Sequence, residues 1–138
     1  MHILIAYDGS DPAREALSVA LEQFGPDQLT ALYVFDPAEA GYDAPDPFGS
    51  DDDVRSLARE RAAATLEEVE TAVGDDIELY TAQEIGHPAR TVVRYADEHD
   101  VDHVVVGSHG REGLSRLLLG SVAETVVRRS PVSVTVAR

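Results

Sequence analysis

The 138-residue chain has no cysteine, which excludes disulfide staples, thiolate metal centres and cysteine nucleophiles. It also has no lysine, since all 11 basic residues are arginine. A phosphate loop of the G-x4-G-K-[ST] type is thereby excluded, because that loop reaches the β- and γ-phosphates with a lysine. No stretch approaches the roughly 20 apolar residues that cross a bilayer. The start, "MHILIAYDGS", carries no basic segment ahead of its apolar run. A cytoplasmic protein with no membrane partner is the expectation.

What is abundant is acid: 26 Asp and Glu against 11 basic residues, a formal net charge of −15. Nucleic acid and anionic lipid surfaces demand basic patches, so neither is an expected partner. Self-repulsion of this size is tolerable where salt screens it, and at 1 M salt the Debye length is about 3 Å. The acidic, lysine-free composition reads as that of a halophile, with an ordinary acidic protein as the alternative. An apolar fraction of 43% argues for a folded chain, and the length for one domain over residues 1–138.

Apolar runs and helical stripes alternate along the chain. "HILIAY" (2–7), "QLTALYVF" (28–35), "IELYTAQE" (77–84), "DHVVVGS" (102–108) and "VSVTV" (132–136) read as strands. Asp11 and Pro12 read as the cap and first turn of a helix whose apolar stripe is Ala13, Ala16, Leu17, Ala20, Leu21 and Phe24. Helices are also expected over 53–73, with Val54, Leu57, Arg61, Ala64 and Ala72 near the inner face, over 87–99 and over 121–129. Alternating strands and helices imply an α/β fold, a parallel sheet with right-handed crossovers and helices on both faces. The expected architecture is a Rossmann-like three-layer α/β/α sandwich with five strands in the order 3-2-1-4-5. Ligands of such sheets sit beyond the strand carboxyl ends, where the strand order reverses. The long connection 36–52, rich in Pro, Gly and Asp, reads as a mobile flap.

"GSHGREGLSRLLLGS" (107–121) follows a strand and precedes a helix. Gly107 and Gly110 let backbone lie close to a ligand, and Gly120–Ser121 opens a helix whose free N–H groups and dipole favour an anion. Ser121 and Glu124 also spell an S-x-x-E capping box, which would start a helix with or without a ligand.

The spacing G-x2-G-x9-G-[ST] after "VVVGS" resembles the nucleotide-binding signature of the universal stress protein family. "ILIAYDGSDPAREAL", "GHPARTVVRYADEHDVDHVVVGSHGR" and "LLLGSVAETVVRRSPVSVTV" resemble that family's segments in the same order, so the likeness spans essentially the whole chain. In its ATP-binding subgroup the resemblance implies that Asp8 and Val34 border the adenine, with the backbone of Ala6 and Tyr7 nearby. Gly107 and Gly110 would lie under ribose and phosphates, and Gly120, Ser121 and Val122 would contact the phosphates. Ser108, His109 and Arg111 fill the same loop. Members lacking the second and third glycines do not bind ATP, and this chain keeps them. Glu112 departs from what an ATP site would choose; a bound Mg²⁺ or Arg111 would have to offset its charge.

His99, Asp100, Asp102 and His103 straddle a helix end and a strand start, do not share one helical face, and read as solvated rather than metal-ligating. The "DDD" at 51–53 reads as a helix N-terminal charge cluster. No nucleophile, base and orienter assemble from the sequence, so no catalytic residue is assigned. The expected function is ATP binding by a stress-response sensor or regulator. The alternatives are a dimeric stress-linked interaction protein with an empty or AMP-occupied pocket, and an enzyme that slowly hydrolyses ATP or transfers adenylyl groups. "VSVTV" should lie at a sheet edge, and the resemblance implies a homodimer paired through it.

Overall fold

The computed structural model describes residues 1–41, 51–108 and 119–138. Strands β1 (His2–Ala6), β2 (Gln28–Phe35), β3 (Glu78–Ile85), β4 (His103–Gly107) and β5 (Ser133–Ala137) form one parallel sheet, ordered β3-β2-β1-β4-β5. Helices α1 (Asp11–Val19), α2 (Asp51–Ala72), α3 (Pro88–Glu98) and α4 (Ser121–Arg129) flank it. The α/β class and strand order read from the sequence are both borne out.

Side-chain alternation divides the interior. Ile3, Ile5 and Tyr7 face one cluster with Leu29, Ala31, Tyr33, Phe35 and the inner residues of α1 and α2. Leu4, Leu32, Val104 and Val106 face the other, with Ala89, Val92 and Ala96 of α3 and Ala123 and Val126 of α4. Two faces buried by two helix layers explain why the central strands read as continuous apolar runs. β1 registers with β2 at Ile3↔Leu29 and with β4 at Ile3↔His103, which aligns their carboxyl ends.

Three local readings need correction. The N-cap of α1 is Ser10, whose hydroxyl accepts from Ala13 N at 3.3 Å, so Asp11 and Pro12 occupy the first turn instead. Beyond Val19 the helix widens into a π-turn, Ala20–Phe24, that ends at Gly25 with φ +50°. In α2 the inner face is Ala58, Ala62, Leu66 and Val69, with Val54 and Leu57 half-buried; Arg61, Ala64 and Ala72 are exposed. Arg61 instead lies over the Phe35 ring, 5.6 Å from its centroid.

Candidate functional site

The chain leaves β1 toward β2 and leaves β4 toward β5, so the strand order reverses between β1 and β4. The turn after β1 and the backbone after β4 open on the carboxyl side of that boundary.

Ala6 ends β1 half-buried, on the α3/α4 face together with Val34 of β2. Tyr7 N donates to Leu32 O at 2.9 Å, which holds the strand end in place, but its side chain turns to the opposite face and is buried. There the Tyr7 hydroxyl donates to Glu68 Oε2 at 3.1 Å, and Arg14 Nη2 donates to Glu68 Oε1 at 2.9 Å. Burial first, then the Glu68 carboxylate, pushes the Tyr7 phenol above its ordinary value. The hydrogen bond from Arg14 holds Glu68 below the usual carboxylate range. Glu68 therefore ties the turn after β1 and the first turns of α1 to α2.

Asp8 is occupied locally: its Oδ1 accepts from Ser10 N at 3.0 Å and from the Ser10 hydroxyl. This Asx-type turn, with Gly9 at φ +80°, reverses the chain and sets Ser10 in its capping position.

Gly107 ends β4 against the first turn of α1. A Cβ there would come within 2.6 Å of both Pro12 Cβ and Pro12 O. The missing side chain thus has a packing cause of its own, beside the close ligand approach inferred from the motif. Its φ is not positive, and neither is that of Gly120, at −65°. Ser108, buried, donates its N–H to Ala137 O at 2.9 Å, and its own carbonyl accepts from Gly120 N. The ends of β4 and β5 and the start of α4 are joined through these two bonds.

The capping box expected at Ser121 and Glu124 is not formed. Gly120 is the N-cap of α4, with no side-chain cap, and Ser121 is its first helical residue. Glu124 pairs instead with Arg128 at 2.8 Å. The first N–H groups of α4 thus lack a capping side chain from their own N-cap, and Val122 packs half-buried in the α3/α4 cluster. Ala6, Asp8, Val34, Gly107, Ser108, Gly120, Ser121 and Val122 all lie at the carboxyl edge of the sheet or on the segments that leave it. His109, Gly110, Arg111 and Glu112, and most of the 36–52 connection, lie outside the described residues.

At the other edge of the sheet, His103 is not solvated as its loop-like context suggested. It is a half-buried member of β4, with Nε2 2.7 Å from Thr135 Oγ1 and the Phe24 ring 4.7 Å away, and burial pushes its pKa down. His99 is exposed and stacks on Tyr95, the ring centroids 3.7 Å apart. Among the described residues no helix is long and apolar enough to cross a membrane.

Ser10, Pro12, Arg14 and Glu68 were absent from the sequence-based site. Ser10 was legible as a capping residue ahead of Asp-Pro, but no sequence signal pairs Arg14 or Tyr7 with a glutamate 54 and 61 positions away.

A doubly wound parallel sheet whose switch point gathers a glycine-ended strand and a newly begun helix defines an α/β protein of the Rossmann-like kind. The universal stress protein family model matches residues 1–138, and the chain belongs to that family. It is 32% identical over 147 residues to universal stress protein MJ0531 of Methanocaldococcus jannaschii, covering 99% of this chain and 81% of that protein. Universal stress protein UspA from Lactobacillus plantarum superposes with a TM-score of 0.80 at 29% identity, covering 100% of this chain and 97% of its own. A universal stress protein in complex with cAMP (TM-score 0.66, 22% identity, 100% and 97% covered) shares the fold. So does one from Arabidopsis thaliana with AMP bound (TM-score 0.70, 17% identity, 99% and 90% covered).

Proposed function

We propose that this chain is a nucleotide-binding universal stress protein whose ligand is ATP, held at the carboxyl edge between β1 and β4. The observation that carries the reading is the bond from Gly120 N to Ser108 O. It brings the glycine-ended strand and a helix start without an N-cap side chain to one place, and oriented N–H groups with a helix dipole suit phosphate. Gly107, Ser108, Gly120, Ser121 and Val122 would line the phosphates, with His109, Gly110 and Arg111 completing the loop. Asp8, Val34 and the backbone of Ala6 and Tyr7 would border the base. Mg²⁺ would arrive with the triphosphate.

A monophosphate occupant is the second reading, favoured by the AMP and cAMP held by two proteins of the same fold. Titration calorimetry with ATP, ADP and AMP separates the two. If none binds with a Kd below about 1 mM, nucleotide binding is wrong for this chain. Gly120→Val should remove ATP affinity while the circular dichroism spectrum is kept; retained affinity would move the site elsewhere.

The functional role that fits is a stress-response sensor or regulator in a salt-rich cytoplasm, working as a homodimer through residues 132–136. Support for the dimer comes from β5 lying at a sheet edge, with Val132, Val134 and Val136 only partly covered and Val127 of the adjoining α4 exposed at 46%.

A further inference from the structure

At the far side of the sheet, away from the β1–β4 boundary, a cavity of about 450 Å³ opens at the carboxyl end of β3. β3 is an edge strand that pairs only with β2 among the described residues, so the cavity straddles a sheet edge. By register, Ile85 shares a face with Phe35 on the α2 side, and Glu84 shares the opposite face with Val34. α2 contributes Arg55 and Arg59, one helical turn apart on the same face, and α3 contributes Arg94.

Three guanidinium groups and one carboxylate line this space, in a chain with a net charge of −15 and only 11 basic residues. Arg55 and Arg59 are exposed and make no hydrogen bond or ion pair among the described residues, whereas Arg94 Nη2 is bound to Glu84 Oε2 at 2.5 Å. Two guanidiniums without an ion pair and a third that is already engaged line one groove, and each guanidinium is a planar donor fork suited to phosphate or carboxylate oxygens. Ile85, 42% exposed, and the buried Ala58 supply an apolar wall beside it. The groove is open to solvent, and its volume admits a small anion.

We propose that this groove is a second binding site, for a compact, multiply charged anion bearing phosphate or carboxylate groups, with Glu84 as an internal competitor that occupies Arg94 until the anion displaces it. The site is independent of the nucleotide reading, because it shares no residue with the β1–β4 edge.

The competitor role yields opposite signs for two charge-removing changes. Pyrophosphate and citrate, titrated separately by calorimetry into the intact protein at low ionic strength, should bind; tighter pyrophosphate identifies a phosphate ligand and tighter citrate a polycarboxylate. The double variant Arg55→Gln/Arg59→Gln should bind the preferred anion at least about tenfold more weakly, as loss of charge-assisted hydrogen bonds implies. Glu84→Gln, which removes the rival carboxylate, should bind it more tightly. Pyrophosphate can also enter the phosphate end of the proposed nucleotide site, so the titrations are repeated in Gly120→Val, where the effects of Arg55→Gln/Arg59→Gln and of Glu84→Gln should persist. Arg55, Arg59 and Glu84 are at least partly exposed, and unaltered thermal melts establish that the variants are folded. No binding of either anion by the unaltered protein, an unchanged affinity in the double variant, or weaker binding by Glu84→Gln would each overturn the proposal.

Discussion

The carboxyl end of β4 touches the first turn of α1 so closely that Gly107 has no room for a side chain beside Pro12. A Cβ 2.6 Å from a backbone oxygen cannot be relieved by moving a flexible side-chain tip. Gly107→Ala should therefore destabilise the fold by about 1–3 kcal/mol, the usual cost of overpacking. The urea midpoint should fall whether or not nucleotide is present. An unchanged midpoint would mean that α1 retreats from β4 at no cost, and would return Gly107 to a purely ligand-binding explanation.

Glu68 is held below the usual carboxylate range by Arg14 while also accepting from Tyr7. A carboxylate whose folded pKa is depressed contributes stability above its unfolded pKa of about 4.3, and loses that contribution as pH falls through the folded value. Both partners are substantially exposed, with side-chain accessibilities of 51% for Arg14 and 42% for Glu68, so solvent screening keeps the ion pair's contribution small. Glu68→Gln should be less stable than the unaltered chain at pH 7, and the two unfolding free energies should converge as the carboxylate titrates. Curves that stay parallel down to the acid limit would show that the bonds to Arg14 and Tyr7 do not depend on Glu68's charge.

These contacts also mark the boundary of what the sequence made legible. The central strands could be read because burial on both faces leaves continuous apolar runs; β2 over Gln28–Phe35 and α4 over Ser121–Arg129 have the bounds that the pattern implies. The phase of α2 could not, because alanines lie on both sides of the helix and only contact with the sheet distinguishes Ala58 and Ala62, buried, from Ala64, exposed. Ser10 and Asp11 are both good capping types, and side-chain geometry decided between them. At the candidate site, the glycine spacing located Gly107 and Gly120. Their joining through Ser108, and the Pro12 contact that independently demands Gly107, are long-range facts without a local signature.

In the proposed dimer two copies pair through the edge strand β5, and α4 flanks that strand with an exposed Val127. Val127→Asp should place like charges near the two-fold axis of such a dimer and weaken it at least about tenfold, the effect of roughly 1.4 kcal/mol. Sedimentation velocity over a range of protein concentrations reads the change directly. A monomer in the unaltered protein, or a dimer whose dissociation constant is indifferent to the substitution, would place the association surface elsewhere or remove it.

His103 provides a pH effect of the opposite chemical kind. Burial pushes its pKa below the usual 6.5, so the folded chain resists a proton that the unfolded chain accepts. Stability is unaffected by this group well above pH 6.5, falls as pH drops from there toward the depressed folded value, and levels off below it. His103→Gln should lose some stability at pH 8, through Phe24 packing and the Thr135 bond, but should flatten the decline just below pH 6.5. An equal slope in both proteins across that window would exclude His103 as its source.

A net charge of −15 repels itself most when the molecule is compact, because unfolding moves the charges apart. Added salt shortens the Debye length from about 10 Å at 0.1 M to about 3 Å at 1 M, which removes most of this penalty between exposed carboxylates. The melting temperature should therefore rise with potassium chloride and flatten toward molar concentrations. Potassium sulfate, which also strengthens apolar burial by exclusion from the surface, should continue to raise it beyond that point. The exposed Arg14–Glu68 pair works in the other direction, since screening weakens it, but one exposed pair cannot reverse the effect of the excess acid. A melting temperature that is flat or falls with chloride would show that the acidic surface is neutral for stability, and would remove the ground for reading the composition as an adaptation to salt.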